Sequence, residues 1–385
     1  MHMKTTYRAF MAVLVAFCVS AAAAAAEKIG EISYLEGNVS LLRNGSTIGA
    51  DELEGGQEIQ NLDVMKTGTD GLAEVNVTPA RGPSLNVKVS PKTSFTFEMN
   101  KIGDKQTGTV GLISGSVALK VAKLSSSKDV KVRTDSAVMG VRGTSFVVST
   151  APGSGDLLVT CDEGEVVCTD EEGRQASVVP GKAAEKRSGE PMRTIPVAVS
   201  SLETFRKQWI TERSEALQAN ALQATRNYAA RYEKLLAQFR TESDALAAKA
   251  SVLSKWKQED RKGQIGGRME VMREKKEIAG PLFKLRGTLF LFERIYYRLQ
   301  ELADYNAQGW GKGLISGGVS SDQFFQKMAK DRKDLEARMA EVRYATRLYA
   351  DRNDGSFPTD SFAEETGTGG MDEMKEDDFF SGGGF

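Results

Sequence analysis

Histidine is all but missing: His2 is the only one in 385 residues. Once a leader carrying it is removed, the chain has no His-based triad, no imidazole metal ligand and no imidazole proton switch. Long apolar runs are also missing beyond the N-terminus. The nearest, 282–297, is interrupted by Lys284, Arg286, Glu293 and Arg294, and a membrane span needs about 18 to 20 apolar residues. No phosphate-cradling G-x-x-x-x-G-K-[ST], no G-x-S-x-G and no dinucleotide fingerprint occurs. The stretch from Asp351 to Gly355 glances at a calcium loop, but its glycine comes one position early and Phe362 stands where a bidentate glutamate belongs. Carboxylate pairs such as Glu171 and Glu172 fall in expected surface loops. No catalytic residue, metal ligand or cofactor is therefore assigned, and the chain is expected not to be an enzyme.

What is present begins with a leader. Lys4 and Arg8 precede an apolar run from Ala9 to Val19 and a block of six alanines ending at Ala26, which reads as a secretory signal over residues 1–26. Cys18 does not mark a lipoprotein, because Phe17 is too bulky for the residue before a lipidated cysteine. Export to the periplasm follows as an expectation, with the extracellular space or the outer membrane as alternatives, and nucleic acid is not an expected partner. The charge is unevenly spread: 27–199 holds 19 basic and 23 acidic residues, 200–352 holds 29 and 20, and 353–385 holds 1 and 9. A basic middle is thus followed by an acidic, glycine-rich and non-periodic tail, for which disorder is expected.

Two periodicities divide the chain. From 27 to 196 apolar and polar residues alternate in short runs separated by glycine turns such as Asn44-Gly45 and Asp70-Gly71, the pattern of half-buried strands. Near Ser200 the period lengthens to between 3.5 and 3.6. Tyr228, Tyr232, Leu235, Phe239, Leu246, Leu253 and Trp256 make one helical stripe; Leu282, Leu285, Leu289, Phe292, Tyr296, Leu299 and Leu302 make a second; Phe325, Met328, Leu335, Met339, Val342 and Tyr349 make a third. Gly280-Pro281 predicts a kink or restart in the second. The fold class expected is α+β by segregation: an all-β domain over 27–196, as a sandwich, distorted barrel or solenoid, then an α-helical coiled coil or bundle over 200–352.

The most distinctive stretch is Val130 to Thr150, in which two alternating segments flank a small-residue elbow. Thr134, Ala137, Gly140, Val141, Arg142, Gly143, Thr144, Phe146 and Val148 match the pattern T-x-x-A-x-x-G-V-R-G-T-x-F-x-V. On these residues the chain resembles the FecR domain family. The likeness continues upstream through Met65 to Val75 and the Gly115 step, and downstream to Asp162-Glu163-Gly164-Glu165-Val166, read as a closing hairpin, so that Leu53 to Lys182 is covered. The elbow contains no general base or nucleophile. Its glycines are expected to supply unusual backbone angles, with Arg142 and Thr144 bonding neighbouring carbonyls.

Cys161 and Cys168 flank the 162–165 turn. With a two-residue turn they lie diagonally on one face within reach of a disulfide; with a three-residue turn they face apart and cannot bond. The basic helices have two readings, a solvated mixed-charge face or a platform for an anionic partner: an envelope surface, an envelope protein or the chain's own acidic tail. The resemblance implies an envelope sensing or protein-interaction module. The founding members need a membrane span and a cytoplasmic segment, neither expected here, so the expected role is a scaffold or signalling adaptor that binds envelope proteins or self-associates through its helices. The alternative is a carbohydrate- or peptidoglycan-binding protein, which an exposed row of aromatics would favour; the strand aromatics singled out are Phe95, Phe97, Phe146 and the single Tyr34, and alternation points most of them inward.

Overall fold

A computed structural model describes residues 28–353 apart from 80, 81, 103, 104, 124–126 and 142, together with 355 and 357. The expected leader, Arg142 and most of the acidic tail lie outside the described residues. Short alternating segments build two layers of strands facing one core. The first layer runs, in spatial order, β4 (Glu58–Gln60), β1 (Lys28–Glu36), β6 (Leu72–Val77), β7 (Leu85–Val89), the second half of β9 (Lys105–Val121), β12 (Ser145–Thr150), β13 (Leu157–Glu163), β16 (Lys182–Lys186) and β17 (Arg193–Pro196). The second runs β3 (Ser46–Ile48), β2 (Val39–Arg43), β5 (Val64–Thr67), β8 (Ser94–Ile102), the first half of β9, β10 (Lys128–Arg133), β11 (Ala137–Val141), β14 (Val166–Asp170) and β15 (Gln175–Val178). From β6 onward the chain lays down strands in pairs, alternately in one layer and the other. Every pairing is antiparallel except β9 with β10, which is parallel.

The period-two pattern fills the space between the layers. Ile29, Ile32, Val75, Val87, Val117, Phe146, Val148 and Val159 from one layer meet Val39, Leu41, Phe95, Phe97, Val110, Val132, Met139 and Val166 from the other. Strand β9 is one continuous strand shared between the layers. The first part of β9, as far as Ser114, pairs with β8, and from Gly115 onward it pairs with β12. Gly115 has φ +88°, and a Cβ there would lie 2.3 Å from Thr93 Oγ1. Only glycine makes this crossing between layers without strain. The small-residue elbow that begins at Ala137 is also more regular than expected, since Ala137–Val141 form β11.

The helical stripes become α1 (Leu202–Ala247), α2 (Ala250–Arg261), α3 (Arg268–Ala307) and α4 (Ser321–Asp351). Their apolar faces share a second core in which Phe239 and Phe292 stack at 4.5 Å, with Tyr232 and Tyr296 alongside. A long helix through Trp256 was expected; the chain instead breaks at Ala248–Lys249 between α1 and α2. The predicted kink is not a break: α3 continues through Pro281. Buried Ile278, Leu282 and Leu285 straddle the proline, and their packing holds the helix across the missing amide bond. The α4 cap is Ser320, in a capping box with Gln323, and Asp322 sits in the first turn. At about 1.5 Å per residue, the 40-residue α3 extends about 60 Å.

Replacing Gly115 by alanine is expected to cost about 1–3 kcal/mol for the backbone conformation alone, with the Thr93 contact adding to it. Urea unfolding checks this: the midpoint falls and the slope stays unchanged. Phe292→Ala, which empties the middle of the aromatic stack, is expected to cost about 3–5 kcal/mol.

Candidate functional site at the strand–helix junction

The motif's opening T-x-x-A forms the turn between β10 and β11. Thr134 Oγ1 accepts from the amides of Ala137 (3.2 Å) and Ser136 (3.4 Å), and the Thr134 amide donates to the Ala137 carbonyl at 3.0 Å. The turn presents Asp135 to α3. There the Asp135 carboxylate meets Arg294 Nε at 3.3 Å and Arg298 Nη2 at 3.3 Å, and Arg294 also donates to the Asp135 carbonyl. Arg298 is 1% exposed. Its Nη1 donates to Glu301 at 2.8 Å, and its guanidinium also reaches the carbonyls of Ala151 and Ile113. Glu301 Oε2 in turn accepts from the Gly153 amide at 2.6 Å. Burial works against the Arg298 charge, yet Glu301, Asp135 and Tyr228 outweigh it and raise its proton affinity above the ordinary arginine range. A buried guanidinium this well paired stays charged.

The loop 151–156 therefore sits between two helices. Tyr228 of α1 donates to the Ser154 carbonyl at 3.2 Å, with its hydroxyl pushed up to about 12 by burial. Leu217 packs so closely that a Cβ on Gly153 would lie 2.3 Å from it. A cavity of about 50 Å³ remains beside this contact, lined in part by Ser136, Ser154, Arg187, Arg231 and Arg294.

A second contact holds the outer face of the first layer. Trp209 of α1 packs with Leu158, Ala183 and Leu202, and its indole donates to Glu185 at 2.6 Å. Arg206 donates to Thr160 (2.7 Å) and Asp162 (2.9 Å). Burial pushes the Glu185 carboxyl up, but hydrogen bonds from Trp209, Arg193 and Arg187 prevail and hold it below the usual carboxylate range. Further contacts join Arg286 to Glu98, Arg347 to Asn44 at 2.9 Å, and the Arg133 guanidinium to the Phe290 ring at 4.1 Å. Much of the basic excess of the helices is thus spent on the acidic strands of the same chain.

The remaining motif residues line the β domain. Ala137, Val141 and Phe146 are buried. Gly143 has φ +64°, as expected of the elbow. Gly140 departs from expectation: it lies in β11 without a positive φ, and a Cβ would approach nothing closer than the Val167 carbonyl at 4.0 Å. Thr144 Oγ1 makes no hydrogen bond; its carbonyl accepts from the Val121 amide at 2.9 Å. The expected hairpin at 162–165 is a corner between layers, since β13 pairs with β12 and β16 while β14 pairs with β11 and β15. Cys161 and Cys168 consequently point into the core from opposite layers. Both are free, buried thiols, and burial pushes Cys168 up to about 12. The hairpin geometry on which a disulfide was weighed does not exist. Sequence reasoning missed Asp135, Arg298 and Glu301.

Among the described residues no group of His, Cys, Asp and Glu is placed to hold a metal ion, and no helix is long and apolar enough to cross a membrane.

A two-layered β domain whose signature turn offers a carboxylate to a clamped helical bundle is the class this geometry defines. Residues 63–167 match the family model described as FecR protein, so the chain carries a FecR domain. No curated protein matches the chain. Two crystal structures from Parabacteroides distasonis ATCC 8503, provisionally described as an anti-sigma factor, are similar to it at 15% identity and a TM-score of 0.31. The similarity covers 37% and 36% of this chain and 63% and 62% of theirs, so it spans less than two thirds of those structures.

Arg298→Met, which leaves Glu301 without its cation and Asp135 with Arg294 alone, is expected to cost about 3–5 kcal/mol and to speed amide exchange at Gly153. Arg294→Gln, at a partly exposed position, costs less. Glu185, held below its unfolded value, stabilises the fold at neutral pH and loses that contribution as pH falls through the carboxylate range toward its folded value. Glu185→Gln is therefore expected to lower the melting temperature at pH 7 and to flatten its fall between about pH 5 and pH 3, as read by calorimetry.

Proposed function

We propose that this protein is a non-enzymatic, exported FecR-domain module that acts in the cell envelope as a scaffold or signalling adaptor, binding envelope proteins through its helical region. The observation that carries the reading is the cluster of Asp135 and Glu301 around the buried Arg298. It fixes a bundle about 60 Å long to the FecR turn, giving one body with a large presented surface. The strand unit is assigned to 27–196 and the helical unit to 200–352, with the periplasm as the site of action.

The carbohydrate-binding alternative draws no support from the strands. Phe95, Phe97 and Phe146 are at most 1% exposed, and Tyr34, 48% exposed, is a single open aromatic and not a row on which sugar rings could stack. At the α3–α4 end, by contrast, Trp310, Leu314 and Val319 are exposed beside a small hairpin, β18 (Leu314–Ser316) with β19 (Val319–Ser320). These exposed apolar groups, close together in sequence, are where a protein partner is proposed to sit.

A photo-crosslinking residue at Leu314, followed by affinity capture from intact envelopes, tests the reading. The expected result is a discrete protein adduct at Leu314 and none from a probe at Lys88 on the exposed strand face. Capture of glycan alone, with no protein adduct at either position, would overturn it.

A further inference from the structure

The turn joining α2 to α3 has an unbalanced surface. Between Glu259 and Glu277 every acidic side chain is held by a cation of the same chain: Glu259 by Arg352 (2.6 Å), Asp260 by Arg347 (2.5 Å), Glu270 and Glu274 by Lys255 (2.6 and 2.7 Å), and Glu277 by Lys249 (3.5 Å). In the same stretch Arg261, Lys262, Arg268, Arg273 and Lys276 are exposed. None of these five takes part in an ion pair among the described residues. Apolar groups share the surface: Met269 is 83% exposed, Met272 49% and Ile265 41%.

The arrangement follows from helical spacing. At about 100° per residue, Arg268, Met269, Met272, Arg273 and Lys276 fall within an arc of about 140°. Val271, Glu274 and Ile278 occupy the opposite side, and all three are buried. Cations without an ion pair among the described residues therefore alternate with flexible thioether chains on one exposed helix end, far along α3 from the 310–319 hairpin. The chemistry of that helix end, apolar groups able to enter an acyl boundary beside cations able to meet phosphates, is that of interfacial docking.

We propose that the α2–α3 end docks on an anionic phospholipid surface, with Met269 and Met272 entering the interface and Arg268, Arg273 and Lys276 facing lipid phosphates. This inference is independent of the protein partner proposed above, and either can fail alone.

Flotation of the purified full chain with vesicles of phosphatidylcholine, alone or with phosphatidylglycerol, tests it. The expected result is binding to the anionic vesicles only, weakened by salt. The triple variant Arg268→Gln, Arg273→Gln, Lys276→Gln is expected to lose about tenfold or more in binding, and Met269→Ser with Met272→Ser to lose severalfold. A charge-matched control, Lys120→Gln, Lys330→Gln, Lys333→Gln, is expected to bind as the parent does. All these positions are exposed, so unchanged melting temperatures verify the fold. The proposal is overturned if the anionic vesicles are not bound, if the tip and control triples bind alike, or if binding appears only after residues 358–385 are removed, which would make the chain's own acidic segment the occupant of this surface.

Discussion

One buried guanidinium holds the two halves of the molecule together. Arg298 has left water completely, and such a charge is tolerated only where opposite charges and carbonyls replace its hydration. Three of its partners are distant in sequence, Asp135 at the β10–β11 turn and the carbonyls of Ile113 in β9 and Ala151 in the 151–156 loop, and the fourth is Glu301 one helical turn along. The cluster therefore exists only when the strands, the 151–156 loop and α3 are all in place. The threonine and alanine that open the family pattern acquire a physical role from it, because they shape the turn that presents Asp135.

The β domain depends in turn on one shared strand. Because β9 belongs to both layers, the layers cannot slide apart without breaking its pairings with β8 and β10 on one side of Gly115 and with β7 and β12 on the other. Its parallel pairing with β10 makes the chain cross over before the motif begins, so that β11 and β12 fall in different layers. The elbow carries the chain from one layer to the other, and this explains why a segment without reactive side chains has so distinctive a composition.

The alternation of apolar and polar residues made most strands legible, and the 3.6 period made all the long helices so. Strand β16 escaped because Lys182-Ala183-Ala184-Glu185-Lys186 alternates nothing: α1 covers its outer face, so both sides are buried, and Glu185 is acceptable there only because Trp209 and two arginines bond it. Strand β11 escaped because Ala137-Val138-Met139-Gly140-Val141 reads as small and irregular, although it alternates buried and exposed positions. The central ion pair had no local signature at all. Asp135 and Arg298 are 163 residues apart, and the charge asymmetry between segments was the one trace of it in the sequence, visible as a total but not as a partner.

The bundle is attached through three of its helices: through Trp209 and Arg206 of α1 to the outer face of one layer, through Arg294 and Arg298 of α3 to the turn at Asp135 and Arg286 of α3 to Glu98, and through Arg347 of α4 to Asn44. A single attachment would leave a swivel; several on different helices remove it. A push on the distant end of the bundle then reaches the strands as a torque rather than dissipating in a joint, with the long helices as the lever and the 151–156 loop near the fulcrum.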